Sequence, residues 1–176
     1  MADRQPEPLI SEERIQTRVG ELAAQIDRDY ADARDLLLVG VLRGAFIFLA
    51  DLSRRLSVPH AVDFIALSSY DSASTDPSGA VRLIMDLRFN IAGRHVLVVE
   101  DIVDSGYTLS YLLHTFAARE PASLKACALV RKLDRARVEV PLDYLGFDIP
   151  DVWVVGYGLD WNDRYRTLPY IGVVEP

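Results

Sequence analysis

The sequence predicts an α/β domain built on a mainly parallel sheet, and three observations carry that reading. "LLLVGV" (36–41) and "RHVLVVEDI" (94–102) contain unbroken apolar runs, the pattern of strands covered on both faces. Segments with apolar residues at helical spacing alternate with these runs, as in a strand–helix–strand unit. At 176 residues, half of them hydrophobic, the chain suits one domain, 1–176, with a substantial core.

The elements follow in order. From Ser11 to about Ala31, Ile15, Val19, Leu22, Ala23 and Ile26 recur at helical spacing, with Ser11 placed to cap the start. The 36–41 strand comes next, then a helix in "AFIFLADLSRRL" after Gly44. "AVDFIALSSY" and "VRLIMDLRF" are strand-like, joined by the polar, turn-forming "DSASTDPSG". After the 94–102 strand, "TLSYLLHTFAARE" is a helix stopped near Pro121 and "SLKACALVRK" a strand. Short strands are expected at 143–147, 152–156 and 170–174.

The bulk properties narrow the partners. A net charge of -7 and a pI near 4.9 disfavour a broad electrostatic grip on nucleic acid, so a small molecule is expected. Cys127 is the single cysteine, which leaves no intramolecular disulfide and suits a reducing cytoplasm. "MADRQPEPLI" lacks a secretory pattern, and Arg43-Gly44 interrupts the strongest apolar segment, so no membrane partner is expected. His60, His95 and His114 lack metal spacing.

Ligands of such sheets gather beyond the carboxyl ends of the strands. Those ends carry Arg43-Gly44, Ser69-Tyr70, Glu100-Asp101, Lys132 and Asp160. In "VLVVEDIVDSGYTLSYLL" a strand runs into Glu100, Asp101 and Asp104, and then into Ser105, Gly106 and Thr108 ahead of a helix. Amides at a helix start, a glycine that permits close approach and two hydroxyls suit a phosphate. The loop is neither a Walker A motif nor G-x-G-x-x-G, which disfavours a nucleoside triphosphatase or a Rossmann dehydrogenase. Carboxylates beside an anion site need another task on the same ligand, either accepting from sugar hydroxyls or holding a divalent cation. A phosphorylated sugar meets both requirements.

The run "VVEDIVDSGYTL" resembles the phosphoribosyl diphosphate (PRPP) signature of the type I phosphoribosyltransferases. Together with "VGVLRGAFIFLADL", "DFIALSSY" and "GFDIPDVWVVGYGLDWNDRYRTLPYIG", in family order over roughly residues 10–174, it is similar to the hypoxanthine-guanine branch. The resemblance implies the type I phosphoribosyltransferase fold, a twisted, mainly parallel sheet flanked by helices, with a small hood formed by terminal segments. It implies transfer of the phosphoribosyl group of PRPP to hypoxanthine or guanine, giving IMP or GMP and diphosphate, with Mg²⁺. A homodimer or homotetramer is implied as well.

Residue by residue, the resemblance gives Glu100 and Asp101 to the ribose hydroxyls and a magnesium ion, and the Asp104, Ser105, Gly106, Tyr107 and Thr108 loop to the 5'-phosphate. Asp104 matches the base near purine N7. Leu42, Arg43 and Gly44 match the diphosphate loop, where a cis peptide is expected between Leu42 and Arg43. Ser69 and Tyr70 match the opening of a mobile loop that closes over the reacting centre. Lys132, chosen over Arg131 by counting back from Gly146-Phe147, matches the donor to the purine 6-oxo group. By residue type alone Trp153 reads as a core aromatic. The resemblance gives it the stacking position, where Phe is more frequent, and lets the Val154 backbone read the base edge. Asp160 matches a second magnesium site and Arg166 a diphosphate contact.

Two competing readings remain at this level. An RNA-binding regulator on the same fold, as in the pyrimidine operon attenuators, needs a basic face, and this chain offers only "RKLDRAR". A xanthine-guanine or pyrimidine-specific transferase is the nearer rival.

Overall fold

The computed structural model describes residues 5–69 and 81–175. In chain order the elements are β1 (Glu7–Ile10), α1 (Glu12–Asp29), β2 (Leu36–Leu42), α2 (Phe46–Arg55), β3 (His60–Ser69), β4 (Val81–Met85), β5 (His95–Val103), α3 (Tyr107–Ala117), β6 (Ser123–Lys132), a 3₁₀ turn (Leu133–Arg135), β7 (Tyr144–Ile149), β8 (Val154–Val155) and β9 (Ile171–Val173). The main sheet has the order β4-β3-β2-β5-β6-β7, parallel except for the β3–β4 pair. A second, antiparallel sheet, β1-β9-β8, joins the two ends of the chain and corresponds to the expected hood.

Strand alternation divides the core between the two faces. Leu36, Leu38, Leu97 and Val99 face α1 and α2, while Leu37, Val39, Val96 and Val98 face α3. That two-sided burial is why β2 and β5 read as unbroken apolar runs. α1 buries the predicted stripe of Ile15, Val19, Leu22, Ala23 and Ile26, and the Ser11 side chain accepts the Arg14 amide at its start. α3 covers the opposite face with Leu109, Leu112 and Phe116.

Three differences from the sequence reading have local causes. β4 ends at Met85 rather than near residue 89, because the buried Asp63 carboxylate accepts the Arg88 and Phe89 amides at 2.8 and 3.1 Å and folds that segment into a turn. β8 starts two residues late, after the Val152 amide donates to the Pro150 carbonyl. β1 had no sequence signal: its Glu-Pro start is poor strand material, and it forms through pairing with β9.

Candidate active site

The carboxyl ends of β2 and β5 border a cleft of about 430 Å³. Its walls come from Val41–Gly44 and from Glu100 through Gly106 with Thr108, and Arg135 closes one side. Segments far apart in the chain thus become the two facing halves of one site because β2 and β5 are adjacent parallel strands.

Glu100 and Asp101 are buried at the end of β5. The Ile102 amide donates to Asp101 Oδ1 at 2.9 Å. Burial pushes the Glu100 carboxyl well above the usual range, and the neighbouring Asp101 charge adds to this. Burial likewise raises Asp101. A pair so disposed attracts a proton, ligand hydroxyls or a hard cation. Gly44 packs directly on Asp101: a Cβ at residue 44 would collide with that carboxylate. The Leu42–Arg43 peptide is cis, as the resemblance implies.

Gly106 precedes α3 with φ of 87°, and a Cβ there would meet the Val138 carbonyl. Ser105 O accepts the Arg137 and Val138 amides at 2.9 and 3.1 Å, which fixes the loop from behind. No side chain caps α3, so its first-turn amides are open to an anion. Ser105, Gly106 and Thr108 line the cleft. Tyr107 is exposed and contributes only its place at the helix start.

Asp104 meets two cations that come from β6 and the turn after it. Its Oδ2 is 3.7 Å from Lys132 Nζ, and its Oδ1 accepts from Arg135 Nε at 3.1 Å. Strand alternation separates Lys132 from Arg131: Lys132 is 6% exposed beside Asp104, while Arg131 pairs with Asp148 at 2.8 Å. Lys132 Nζ also lies 3.5 Å from Asp151 and 5.8 Å from the centre of the Trp153 ring. Trp153 is 58% exposed, so it is not a core aromatic; its ring is free to cover a flat ligand. Val154 is buried in β8, an edge strand that among the described residues pairs with β9 alone.

Residues 156–166 pack on the 42–44 loop, with Gly158 against the Gly44 carbonyl. Arg166 is held by Asp160 at 2.7 Å, Asp163 at 3.0 Å and the Gly158 carbonyl at 2.8 Å, and Arg43 reaches Asp163 at 3.2 Å. The bond from Arg166 keeps the Asp163 carboxyl below its usual range. Among the described residues no three His, Cys, Asp or Glu side chains converge as a metal cluster, so Asp160 and the Glu100-Asp101 pair are separate places. The Glu100 and Asp101 carboxylates line the cleft and fit a hard divalent ion whose shell is completed by water and ligand oxygens, whereas the Asp160 oxygens are engaged by Arg166 and the Asp163 amide. Ser69 ends β3, and Tyr70 lies outside the described residues.

Sequence reasoning missed Arg135, Asp151 and Asp163. Arg135 was visible only as part of a basic run, and the other two look like ordinary turn residues until the fold brings them to Lys132 and Arg166.

A family model described as "Phosphoribosyl transferase domain" matches residues 10–162. The hypoxanthine-guanine phosphoribosyltransferase of Dictyostelium discoideum is 47% identical over 172 residues, covering 96% of this chain and 95% of that protein. The Mycobacterium tuberculosis protein of the same name is 50% identical over 173 residues, covering 96% and 85%. The hypoxanthine phosphoribosyltransferase of Trypanosoma cruzi, solved as a mutant complexed with the product IMP, superposes with a TM-score of 0.91 at 44% identity, covering 100% of this chain and 93% of that one. A mostly parallel sheet with the acidic pair and anion loop at its carboxyl edge, together with identity near one half over almost the full length, establishes that the chain belongs to the hypoxanthine-guanine phosphoribosyltransferases, with their type I phosphoribosyltransferase fold.

Proposed function

We propose that this enzyme of purine salvage transfers the phosphoribosyl group of PRPP to N9 of hypoxanthine or guanine, giving IMP or GMP and diphosphate. The observation that carries the reading is the placement of Lys132 and Asp104 3.7 Å apart at the mouth of a cleft that ends in the open first turn of α3. One group can donate to a purine 6-oxo oxygen and the other can accept the proton at N7, while the phosphate of the same nucleotide reaches the helix amides.

The roles follow from the chemistry. The amides and hydroxyls of residues 105–108 bind the 5'-phosphate, and Glu100 and Asp101 accept from the ribose hydroxyls. As diphosphate departs, carboxylates below the sugar favour the electron-poor centre at C1'. Asp104 takes the N7 proton as the new bond forms. Lys132 selects 6-oxopurines, because a 6-amino group offers it no acceptor. Trp153 stacks on the base and the Val154 backbone reads its edge. The 42–44 loop and Arg166 receive the diphosphate. Glu100 and Asp101 would hold one Mg²⁺ ion and Asp160 a second, which would neutralise charge on the diphosphate. Residues 1–176 act as one domain, in the cytoplasm, as a homodimer or homotetramer. Ser69 and Tyr70 open a loop that closes over the reacting atoms.

The test is product formation from PRPP and Mg²⁺ with hypoxanthine, guanine, xanthine, adenine and uracil in parallel, with Asp104→Ala beside the wild type. Turnover confined to hypoxanthine and guanine, and reduced about 10²–10⁴-fold in the variant, is expected when one positioned base is removed. Activity only with xanthine or uracil would overturn the purine assignment. An undiminished kcat would remove Asp104 from the mechanism.

A further inference from the structure

Tyr157 occupies a backbone conformation that bulky residues rarely adopt, with φ of 51° in the left-handed region. Its ring is 2% exposed, and its hydroxyl donates to Asp51 Oδ2 at 2.6 Å. Asp51, on α2, is itself held from α1 and from its own helix. Gln16 on α1 donates to the same oxygen at 3.3 Å, and Arg54 on α2 donates to the other oxygen. Arg55 then ties the Gln16 side-chain oxygen to the Asp51 carbonyl. The phenol therefore ends on a carboxylate anchored across the α1–α2 layer.

On its other side Tyr157 leads into the segment packed on the 42–44 loop, to which the proposed function gives the diphosphate. The next residue, Gly158, has φ of 104°, and a Cβ there would strike the Gly44 carbonyl. Gly158 donates its amide to the Arg166 carbonyl at 2.9 Å and accepts the Arg166 guanidinium at 2.8 Å, while Arg166 holds Asp160. The 157–158 backbone thus packs on Gly44 and carries the groups that hold Arg166, and through it Asp160.

We propose that the Tyr157–Asp51 hydrogen bond positions the Gly158–Asp160 backbone over Gly44 and thereby sets affinity for the diphosphate end of PRPP. Tyr157 and Asp51 are positioning residues that touch no substrate. The inference rests on the reading that the cleft takes PRPP.

Steady-state kinetics and calorimetric PRPP binding on wild type, Tyr157→Phe, Asp51→Ala, Asp51→Asn and the Tyr157→Phe/Asp51→Ala double variant test it. Tyr157→Phe should raise the KM and Kd for PRPP about tenfold, the loss expected for one hydrogen bond to a charged acceptor, with purine KM nearly unchanged. Asp51→Ala should match it, and the double variant should be no worse than either, because the same bond is lost once. Asp51→Asn keeps an acceptor and should restore PRPP KM to within about threefold of wild type. An unchanged PRPP KM in Tyr157→Phe, with only a lower melting temperature or active fraction, would make the pair merely structural and overturn the inference. So would a purine KM that rises in step with that for PRPP. Tyr157→Phe removes a single hydroxyl and decides the matter if Asp51→Ala does not fold. Wild-type turnover leaves the functional reading standing whatever the variants do, whereas a wild type that binds no PRPP overturns both.

Discussion

Asp51 shows what a single residue needs before it can be buried as a charge. Burial acts to raise its carboxyl, but the hydrogen bonds from Tyr157, Arg54 and Gln16 outweigh it and hold the group below the usual 3.8. A carboxyl depressed in the folded state contributes stability above its unfolded value and loses it as pH falls toward the folded value. Asp51→Asn should therefore lower the melting temperature at about pH 7 by roughly 2–4 °C, the shift that ~1 kcal/mol produces in a chain this size. The gap should close as pH drops below 3.8. Thermal unfolding across that range checks it, and a gap independent of pH would mean that the charge of Asp51 is not what matters. Nothing in "FLADLSRRL" distinguishes this aspartate from a solvated one, since its partners Gln16 and Tyr157 are 35 and 106 residues away.

Among the elements, the strand ends decide the site. The loop after β2 can approach β5 only because residue 44 has no side chain, and the Asp101 carboxylate it would strike is fixed by the Ile102 amide. Gly44→Ala must displace either the 42–44 loop or the acidic pair. Overpacking of this kind costs about 1–3 kcal/mol, so kcat/KM for PRPP should fall by roughly 10–100-fold. Steady-state kinetics would read this directly, and an unaltered KM for PRPP would show that the 42–44 loop does not contact the ligand. The anion loop was legible without the fold, because a strand, a glycine, hydroxyls and a helix start are consecutive. Arg135 was not, because its bond to Asp104 spans 31 residues.

For the whole molecule, the asymmetry of the layers matters. Two helices cover one face of the sheet, whereas among the described residues α3 is the one helix on the other, joined there by Ile91, Val140 and Leu142. Phe116 is fully buried there. Phe116→Ala should cost about 3–5 kcal/mol, a large part of the roughly 5–15 kcal/mol that stabilises an ordinary domain. Urea unfolding should show the midpoint fall with its slope unchanged. A loss below about 1 kcal/mol would mean that other groups close over the gap. Because α3 begins directly after Gly106, this core and the 104–108 loop share one rigid support.

The sequence by itself determined the α/β class, the stripe of α1, the strands β2, β5 and β6, and the acidic pair with its anion loop. These are local patterns, in which burial period and turn chemistry are written in consecutive residues. Only the tertiary structure decided that β1 pairs with β9, that Arg135 closes on Asp104, and that Tyr157 reaches Asp51. Each of these depends on register and contact between distant segments, for which no local signal exists.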